Sequence, residues 1–331
     1  MTYQFSFTSK RGAIAFGTDV IYATPDQLER LVEWRSVCLD GHMNGVVLGA
    51  AAGDTVSITI GNRSWSGVGD PSGTMSFVLD GYRLETDDLV AMLRGSDVRY
   101  IIRPGLRVAD FGNVPPLDFN SSEAITAAHA MLNVTSATPI LDARYLTAFS
   151  GSTLSKSEAF TAGATYEAVP AQRLPSARAQ ALDIYDRSDT QGAREAVRYF
   201  RTVEDITIAL GPWLAVPAIT MRQAAGNDFP SIQLSVQPEY DRWAYATVLS
   251  GTVFSGVFVT SEYAEYAGMD RATWTLTFPD LTSVPGYGPA WPIPSGTPVT
   301  YLVGAGGGTI PWPVAAEPRA GDRTNIAYRF E

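Results

Sequence analysis

The chain has 331 residues, of which 45% are hydrophobic and 18% charged, which is enough apolar material for two or three folded domains. Its net charge of −10 repels nucleic-acid phosphates and anionic lipids, so the sequence predicts neither a nucleic-acid partner nor membrane insertion. The single cysteine, Cys38, excludes an intramolecular disulfide framework and a cysteine zinc cluster.

The first third of the chain alternates strand and helix signals. Residues 3–22 alternate as strands do, and Thr24 caps a predicted helix that ends before Gly41. Thr86 caps a second short predicted helix, and Gly95 lies just past its end. Further strands are predicted over residues 45–51, 55–60, 74–79 and 98–102, with a Gly/Ser-rich turn region over residues 61–73. Together these elements predict an N-terminal α+β domain over residues 1–112.

The middle of the chain carries the strongest helical signals. A proline-punctuated loop over residues 113–120 precedes a predicted helix over residues 122–133, and residues 139–170 are predicted as strands and loop. Two further helices are predicted over residues 176–185 and from Asp189 to residue 204. We therefore expect a helical and loop-rich middle segment over residues 113–205.

The last part of the chain has β texture. Six strands are predicted over residues 206–210, 213–221, 232–236, 243–249, 253–260 and 272–278, and a last strand over residues 325–331. Residues 279–319 hold nine of the 21 prolines, which predicts an extended Pro/Gly-rich arm. Residues 206–331 are thus predicted as a β-sandwich-like domain with this arm. The overall prediction is a mainly β protein with a few short helices.

Two motifs that resemble functional sites lack the required neighbours. The glycine run over residues 303–308 resembles a dinucleotide loop, but no helix can start at Thr-Ile-Pro-Trp-Pro to hold a pyrophosphate. A flexible turn is predicted there instead. His42 and His129 are 87 positions apart, which is not the i, i+4 spacing of a zinc helix. We predict no catalytic residue, no cofactor and no metal.

Acidic residues cluster at Asp183, Asp186 and Asp189. Aligning Gly192 as the glycine of a Ca²⁺ loop places arginines at its first and last ligand positions, so the cluster fails that pattern. A glycosidase needs only two carboxylates that face each other across a cleft, and the sequence leaves such a pair open.

The arm carries the candidate contact residues Tyr287, Trp291 and Trp312. Their flat rings can stack on sugar rings, or they can pack within the chain or against a neighbouring subunit. The sequence leaves glycan contact and subunit contact open at these three positions.

The overall texture resembles the virion proteins of tailed bacteriophages or gene-transfer agents. The chain is acidic and poor in lysine, has Thr/Ser/Val/Gly strands such as residues 247–260, and carries the Pro/Gly arm near its end. The resemblance implies a non-enzymatic structural component of a tail tip, baseplate or spike, assembled in the host cytoplasm into the virion. Its partners would be other virion proteins and copies of itself. The alternatives are an adhesin module that binds a host-surface glycan and a glycoside hydrolase.

Overall fold

The structure, a computed structural model, describes residues 3–8, 17–23, 41–60, 63–81, 86–107, 114–149, 152–155, 157–175, 178–250, 253–280, 293–310 and 317–331. These residues are mainly β, which confirms the predicted fold class. Their one α-helix, α1 (Ser261–Tyr266), is accompanied by 3-10 turns at Ala171–Arg173 and Pro238–Tyr240. No helix in this part of the chain has the length and hydropathy to cross a membrane.

The strands are numbered in chain order. They are β1 (Tyr3–Thr8), β2 (Gly17–Ala23), β3 (Gly41–Leu48), β4 (Thr55–Ile60), β5 (Arg63–Val68), β6 (Thr74–Gly81), β7 (Thr86–Arg94), β8 (Val98–Arg107), β9 (Leu117–Asp118), β10 (Ile125–Thr126), β11 (Ala128–Ser136), β12 (Ala143–Phe149), β13 (Ser152–Thr153), β14 (Glu158–Ala159), β15 (Thr165–Ala168), β16 (Gln180–Ser188), β17 (Gly192–Phe200), β18 (Ile206–Leu210), β19 (Ala218–Ala224), β20 (Asn227–Ser235), β21 (Trp243–Ser250), β22 (Val253–Thr260), β23 (Thr273–Thr277), β24 (Ile293–Pro294), β25 (Thr300–Gly308) and β26 (Arg323–Phe330).

A first sandwich is built from the strands between β3 and β10. The five-stranded sheet β10-β8-β7-β4-β5 packs against the three-stranded sheet β6-β3-β9. Inward residues of both sheets, among them Val47, Ile58 and Phe77, form its buried core. The alternation of inward and outward residues in β4 buries its apolar members, as the sequence of that strand predicts.

One large sheet organises the rest of the chain. Its strand order is β1-β2-β22-β21-β25-β26-β17-β16-β12-β13, with β14 also paired to β12. The three-stranded sheet β15-β11-β18 covers one end of its inner face, and a sheet formed by β19, β20, β23 and β24 covers the other. These layers form the second and third sandwiches, which join edge to edge where β17 pairs with β26.

The large sheet contains strands from all three predicted segments, which are residues 1–112, 113–205 and 206–331. β1 and β2 come from the first segment, β12, β16 and β17 from the second, and the remaining main strands from the third. The division into three domains stays a prediction.

The first sandwich is tied to the second by a fourth apolar cluster and two ion pairs. Val90, Met92 and Tyr100 of the first sandwich pack with Phe149 and Leu174 of the second. The guanidinium of Arg94 lies 2.7 Å from the carboxylate of Glu167, and Arg178 pairs with Asp88. The apolar cluster stabilises this contact by removing hydrophobic surface from water, and Arg178 neutralises the buried Asp88 carboxylate.

The second predicted helix is wrong, because β7 occupies its place. Leu89, Ala91 and Leu93 enter the first core, whereas Val90 and Met92 enter the fourth cluster on the other face of the strand. A strand that is buried on both faces has a continuous apolar run, which periodicity alone does not distinguish from a buried helix.

The predicted helices of the middle segment are also strands. β16 and β17 occupy residues 180–200, and β10 and β11 occupy the predicted helix over residues 122–133. In β16 and β17 the inward positions include Gln180, Asp186 and Arg194, all fully buried, so the period-two pattern is hidden by polar residues. Gln180 is satisfied by two hydrogen bonds with the backbone of Val169, and Asp186 and Arg194 satisfy each other.

Two predicted turns are strands as well. β5 lies within the predicted Gly/Ser-rich turn region, and the glycine run over residues 303–308 lies inside β25, between β21 and β26. Residues 300–308 of the predicted arm are therefore part of a sheet. Glycine is accommodated there because rings from β21 fill the space above it.

Several predicted strands are confirmed with their bounds. Residues 55–60, 206–210 and 253–260 form β4, β18 and β22. The predicted last strand over residues 325–331 is also present as β26, which begins two residues earlier and ends one residue earlier. The predicted helix that starts at Thr24, and Cys38 within it, lie outside the described residues.

Candidate functional site

The outer face of the large sheet carries a continuous group of aromatic and acidic side chains. Along β21, Ala244, Ala246 and Val248 point into the third core, so Trp243 and Tyr245 point to the opposite face. Directly paired residues of antiparallel strands share a face, which allows the same row to be followed from strand to strand. We call this surface the aromatic face; its members are Phe258, Trp243, Tyr245, Tyr328, Tyr185, Asp183, Glu195 and Tyr199.

The glycines of β25 create room for the rings of β21. Gly304 is paired with Tyr245 and Gly306 with Trp243. A Cβ atom at Gly304 would lie 2.3 Å from the Tyr245 ring, and one at Gly306 would lie 2.2 Å from the Trp243 ring. Both rings therefore lie over the backbone of β25.

The rings of β21 and β22 have similar orientations. The Trp243 centroid lies 5.9 Å from that of Tyr245 with an interplanar angle of 29°. It lies 5.5 Å from that of Phe258 with an angle of 25°. This arrangement forms a ridge of nearly parallel, half-buried rings.

Tyrosine hydroxyls continue the face on the other side of the glycines. The Tyr328 hydroxyl donates a hydrogen bond of 3.0 Å to the Tyr185 hydroxyl, and the two rings are 6.5 Å apart. Burial and this hydrogen bond raise the pKa of Tyr328, and burial raises the pKa of Tyr199. The Tyr328 and Tyr199 hydroxyls therefore stay protonated at neutral pH and can donate hydrogen bonds.

Two carboxylates on neighbouring strands complete the aromatic face. Asp183 is directly opposite Val197, so it lies one diagonal step from Glu195, with Cα atoms about 7–8 Å apart. Both side chains are half-buried, and the Asp183 Oδ1 atom is buried without a hydrogen-bond partner. Burial and the negative charge of Glu195 raise the pKa of Asp183 to about 7, and burial raises the pKa of Glu195.

The aromatic face is long enough for an extended ligand. It runs from β22 to β16, which is five strand spacings or about 24 Å. One half presents ring surfaces and the other half presents carboxylates and hydroxyls. Such a surface can stack on an apolar ring face while its polar half bonds to hydroxyl groups.

The residues singled out in the sequence fall elsewhere. Tyr287, Trp291 and Trp312 lie outside the described residues. Of the acidic cluster, Asp183 is on the aromatic face, but Asp186 is buried on the inner face and Asp189 is exposed in the β16–β17 turn. The three residues therefore do not form one cluster in the structure.

Metal ligands do not gather in this region of the structure. The described residues contain no group of three or more His, Cys, Asp or Glu side chains that could hold a metal ion. His129 is exposed on β11, and the backbone of His42 lies opposite that of Asp80 in the β3–β6 ladder.

The aromatic face had a signal in the sequence that our interpretation missed. Trp243 and Tyr245 alternate with alanines in a predicted strand, and the glycine run supplies three small residues at alternating positions. Only the pairing of β21 with β25 shows that the two signals belong together.

Comparison with known proteins identifies no family for this chain. No protein-family model matches the sequence, and no curated protein matches it. One solved structure with weak similarity is described as a Ca²⁺-stabilized adhesin that helps an Antarctic bacterium reach out and bind ice. The alignment covers 99% of this chain and 80% of that chain at 11% identity, with a TM-score of 0.18. A TM-score of that size carries no argument about the fold or function of this chain.

Proposed function

We propose that the protein is a non-enzymatic recognition module that binds a saccharide on the aromatic face. The observation that carries this proposal is the position of the Trp243 and Tyr245 rings over the glycines of β25, next to the carboxylates of β16 and β17. Sugars have an apolar C–H face and a rim of hydroxyls. A ridge of rings beside hydrogen-bonding groups matches both features.

The carboxylates and tyrosines supply the polar part of this recognition. Asp183 Oδ1 is buried and has no protein hydrogen-bond partner, so turning this atom outward to accept from a sugar hydroxyl breaks no existing hydrogen bond. The Tyr185 hydroxyl already accepts from Tyr328 and can donate its own proton to a ligand oxygen. An isolated aromatic cluster without these groups would indicate packing rather than recognition.

The test is a Trp243→Ala variant measured against a panel of soluble oligosaccharides by calorimetry. We expect the wild-type protein to bind at least one of them and the variant to bind at least about tenfold more weakly, because a stacking partner is worth ~1.4 kcal/mol or more. The control is Tyr266→Ala, which removes an exposed aromatic ring of α1 outside the face. Equal affinities of wild type and Trp243→Ala, or no binding to any oligosaccharide of the panel, would contradict the proposal.

The glycoside hydrolase alternative rests on the same two carboxylates. Asp183 and Glu195 lie on the same face of neighbouring strands, and a glycosidase needs two carboxyl groups beside its substrate. The same oligosaccharides should therefore also be assayed for newly formed reducing ends. Turnover that Asp183→Asn abolishes would favour a hydrolase over a binding module.

The second candidate is the structural virion component that the sequence analysis expects, and it stays a proposal. The observation in its favour is the free edge of β19, which pairs only with β20 among the described strands. β19 is largely exposed, as are the neighbouring Val216 (69%) and its own Met221 (42%). An exposed apolar edge strand is a template for pairing with another chain.

A second copy of the chain is the partner that this edge fits. β19 contains no acidic residue and one cation, Arg222, so antiparallel pairing about Met221 would place Arg222 opposite Thr220 and create no like-charge contact. Light scattering after size-exclusion chromatography should show a dimer or larger species that Met221→Lys reduces to the monomer. Leu141→Lys, at an exposed apolar loop position, is the control. A wild-type monomer at high concentration would remove this candidate.

A further inference from the structure

A polar cleft lies at the junction of the second and third sandwiches, on the inner side of the large sheet. Its volume is about 1040 Å³. The ends of β11, β18 and the 3-10 turn at Pro238–Tyr240 form its walls, and β17 and β26 form its floor. Clefts between folding units are frequent ligand sites because their walls come from independent elements.

Two arginines face each other at this floor. Arg198 of β17 is directly opposite Arg323 of β26, and both line the cleft. Among the directly paired residues of the described strands, this is the one pair of equal charge. Like charges directly opposite each other on a sheet destabilise it.

Neighbouring carboxylates do not neutralise this pair. Within the described part of the chain, neither guanidinium has an ion pair or a side-chain hydrogen bond. Asp322, next to Arg323, instead accepts hydrogen bonds from the Thr309 hydroxyl and the Arg319 backbone. Arg194, four residues before Arg198 on the same strand, shows the contrast, because Asp186 neutralises it fully.

The rest of the lining favours one small anionic group over a polyanion. Glu239 and Asp241 also line the cleft, and Asp241 lies 3.9 Å from Arg242. Asn325 lies on the floor beside the arginine pair and can donate or accept a hydrogen bond. Two guanidinium forks and an amide are the donors that bind carboxylate, sulfate or phosphate oxygens.

We propose that Arg198 and Arg323 form an oxyanion site in this cleft, which binds a carboxylate, sulfate or phosphate group of a polar ligand. The site lies on the opposite side of the sheet from the aromatic face and does not depend on the saccharide proposal. A bound anion accepts a charge-assisted hydrogen bond from each guanidinium group, and these contacts offset the repulsion between the two cations.

The test compares inorganic phosphate, inorganic sulfate and glucuronate with sodium chloride at equal ionic strength, by thermal unfolding and calorimetry. We expect at least one of the three anions to raise the Tm of the wild type beyond the effect of chloride. Arg198→Gln and Arg323→Gln should each weaken binding at least about tenfold, and the double variant should lose it. Comparison of the three anions distinguishes an inorganic ion from a sugar carboxylate as the source.

Two further variants separate binding from folding. Arg323→Glu converts the pair into an ion pair, so it should raise the Tm without anion and abolish binding. Arg187→Gln, which removes an exposed arginine of β16 outside the cleft, should bind like the wild type. If none of the three anions raised the Tm of the wild type more than chloride does, the proposal would be overturned. Anion binding by the double variant Arg198→Gln/Arg323→Gln would overturn it as well.

Discussion

Replacing Arg194 with methionine is expected to lower the free energy of unfolding by about 3–5 kcal/mol. Arg194 and Asp186 are both fully buried, and the guanidinium donates to one carboxylate oxygen at 3.0 and 2.7 Å. Methionine would leave the Asp186 carboxylate buried without its cation. An unpaired buried charge is far more costly than a lost surface contact.

The size of the effect follows from the number of elements that Arg194 holds. Its guanidinium also donates to the Ser136 hydroxyl and to the carbonyls of Pro139 and Gly211, and lies 4.3 Å from the Trp213 ring centroid. These partners belong to the end of β11 and to the segments before β12 and after β18. The substitution therefore loosens the junction of the second and third sandwiches, beside the arginine-lined cleft.

The control is an ion pair with the same separation but full exposure to water. Arg271 lies 2.7 Å from Glu265, and both side chains are more than two-thirds exposed. Arg271→Met should change the stability by about 0.5 kcal/mol or less. The double variant Arg194→Met/Asp186→Leu should recover part of the loss, because it removes the uncompensated carboxylate. The free energy of unfolding of Arg194→Met, Arg271→Met and the double variant is measured by urea denaturation. Similar decreases for Arg194→Met and Arg271→Met would contradict a structural role of the buried pair.

Asp183→Asn is expected to stabilise the protein above neutral pH. The pKa of Asp183 in the folded protein is about 7, against an ordinary value of 3.8. Between these values the folded state binds more protons than the unfolded state, so stability falls as the pH rises through this window. Each pKa unit corresponds to ~1.4 kcal/mol, and solvent screening of this half-buried group reduces the total, which leaves a gain of about 2 kcal/mol at pH 8.

The measurement is the difference in unfolding free energy between variant and wild type at pH 4, 6 and 8. The gain from Asp183→Asn should be near zero at pH 4 and largest at pH 8. Asp189→Asn, at an exposed position of the same hairpin, is the control and should stay within about 0.5 kcal/mol at every pH. A gain that is independent of pH would show that burial and Glu195 do not oppose ionisation of Asp183.

The two substitutions probe opposite faces of one hairpin. Arg194 and Asp186 are inward residues of β17 and β16, and their charges neutralise each other. Asp183 and Glu195 are outward residues of the same two strands, and their charges repel each other. A ligand that brings hydrogen-bond donors would therefore stabilise the outward pair and not the inward one. This difference is why we assign a structural role to the inner pair and a recognition role to the aromatic face.

The sequence by itself determined the fold class and the strands whose inward residues are apolar. β4 and β18 alternate cleanly, so local pattern and tertiary burial agree and the strands could be predicted. β16 and β17 could not, because a buried Arg194 appears polar until its partner Asp186 is known to lie opposite it. β7 could not, because both of its faces are covered.

The surfaces for which we propose functions are formed largely by strand pairing across long sequence distances. Trp243 lies over Gly306 and Arg198 faces Arg323, and in neither case does local sequence fix the register. A shift of one residue in any of these ladders would turn the side chains to the other face. The sequence therefore showed that the chain contains aromatic and charged side chains that can bind a ligand. Only the tertiary structure gathered them on the aromatic face and in the arginine-lined cleft.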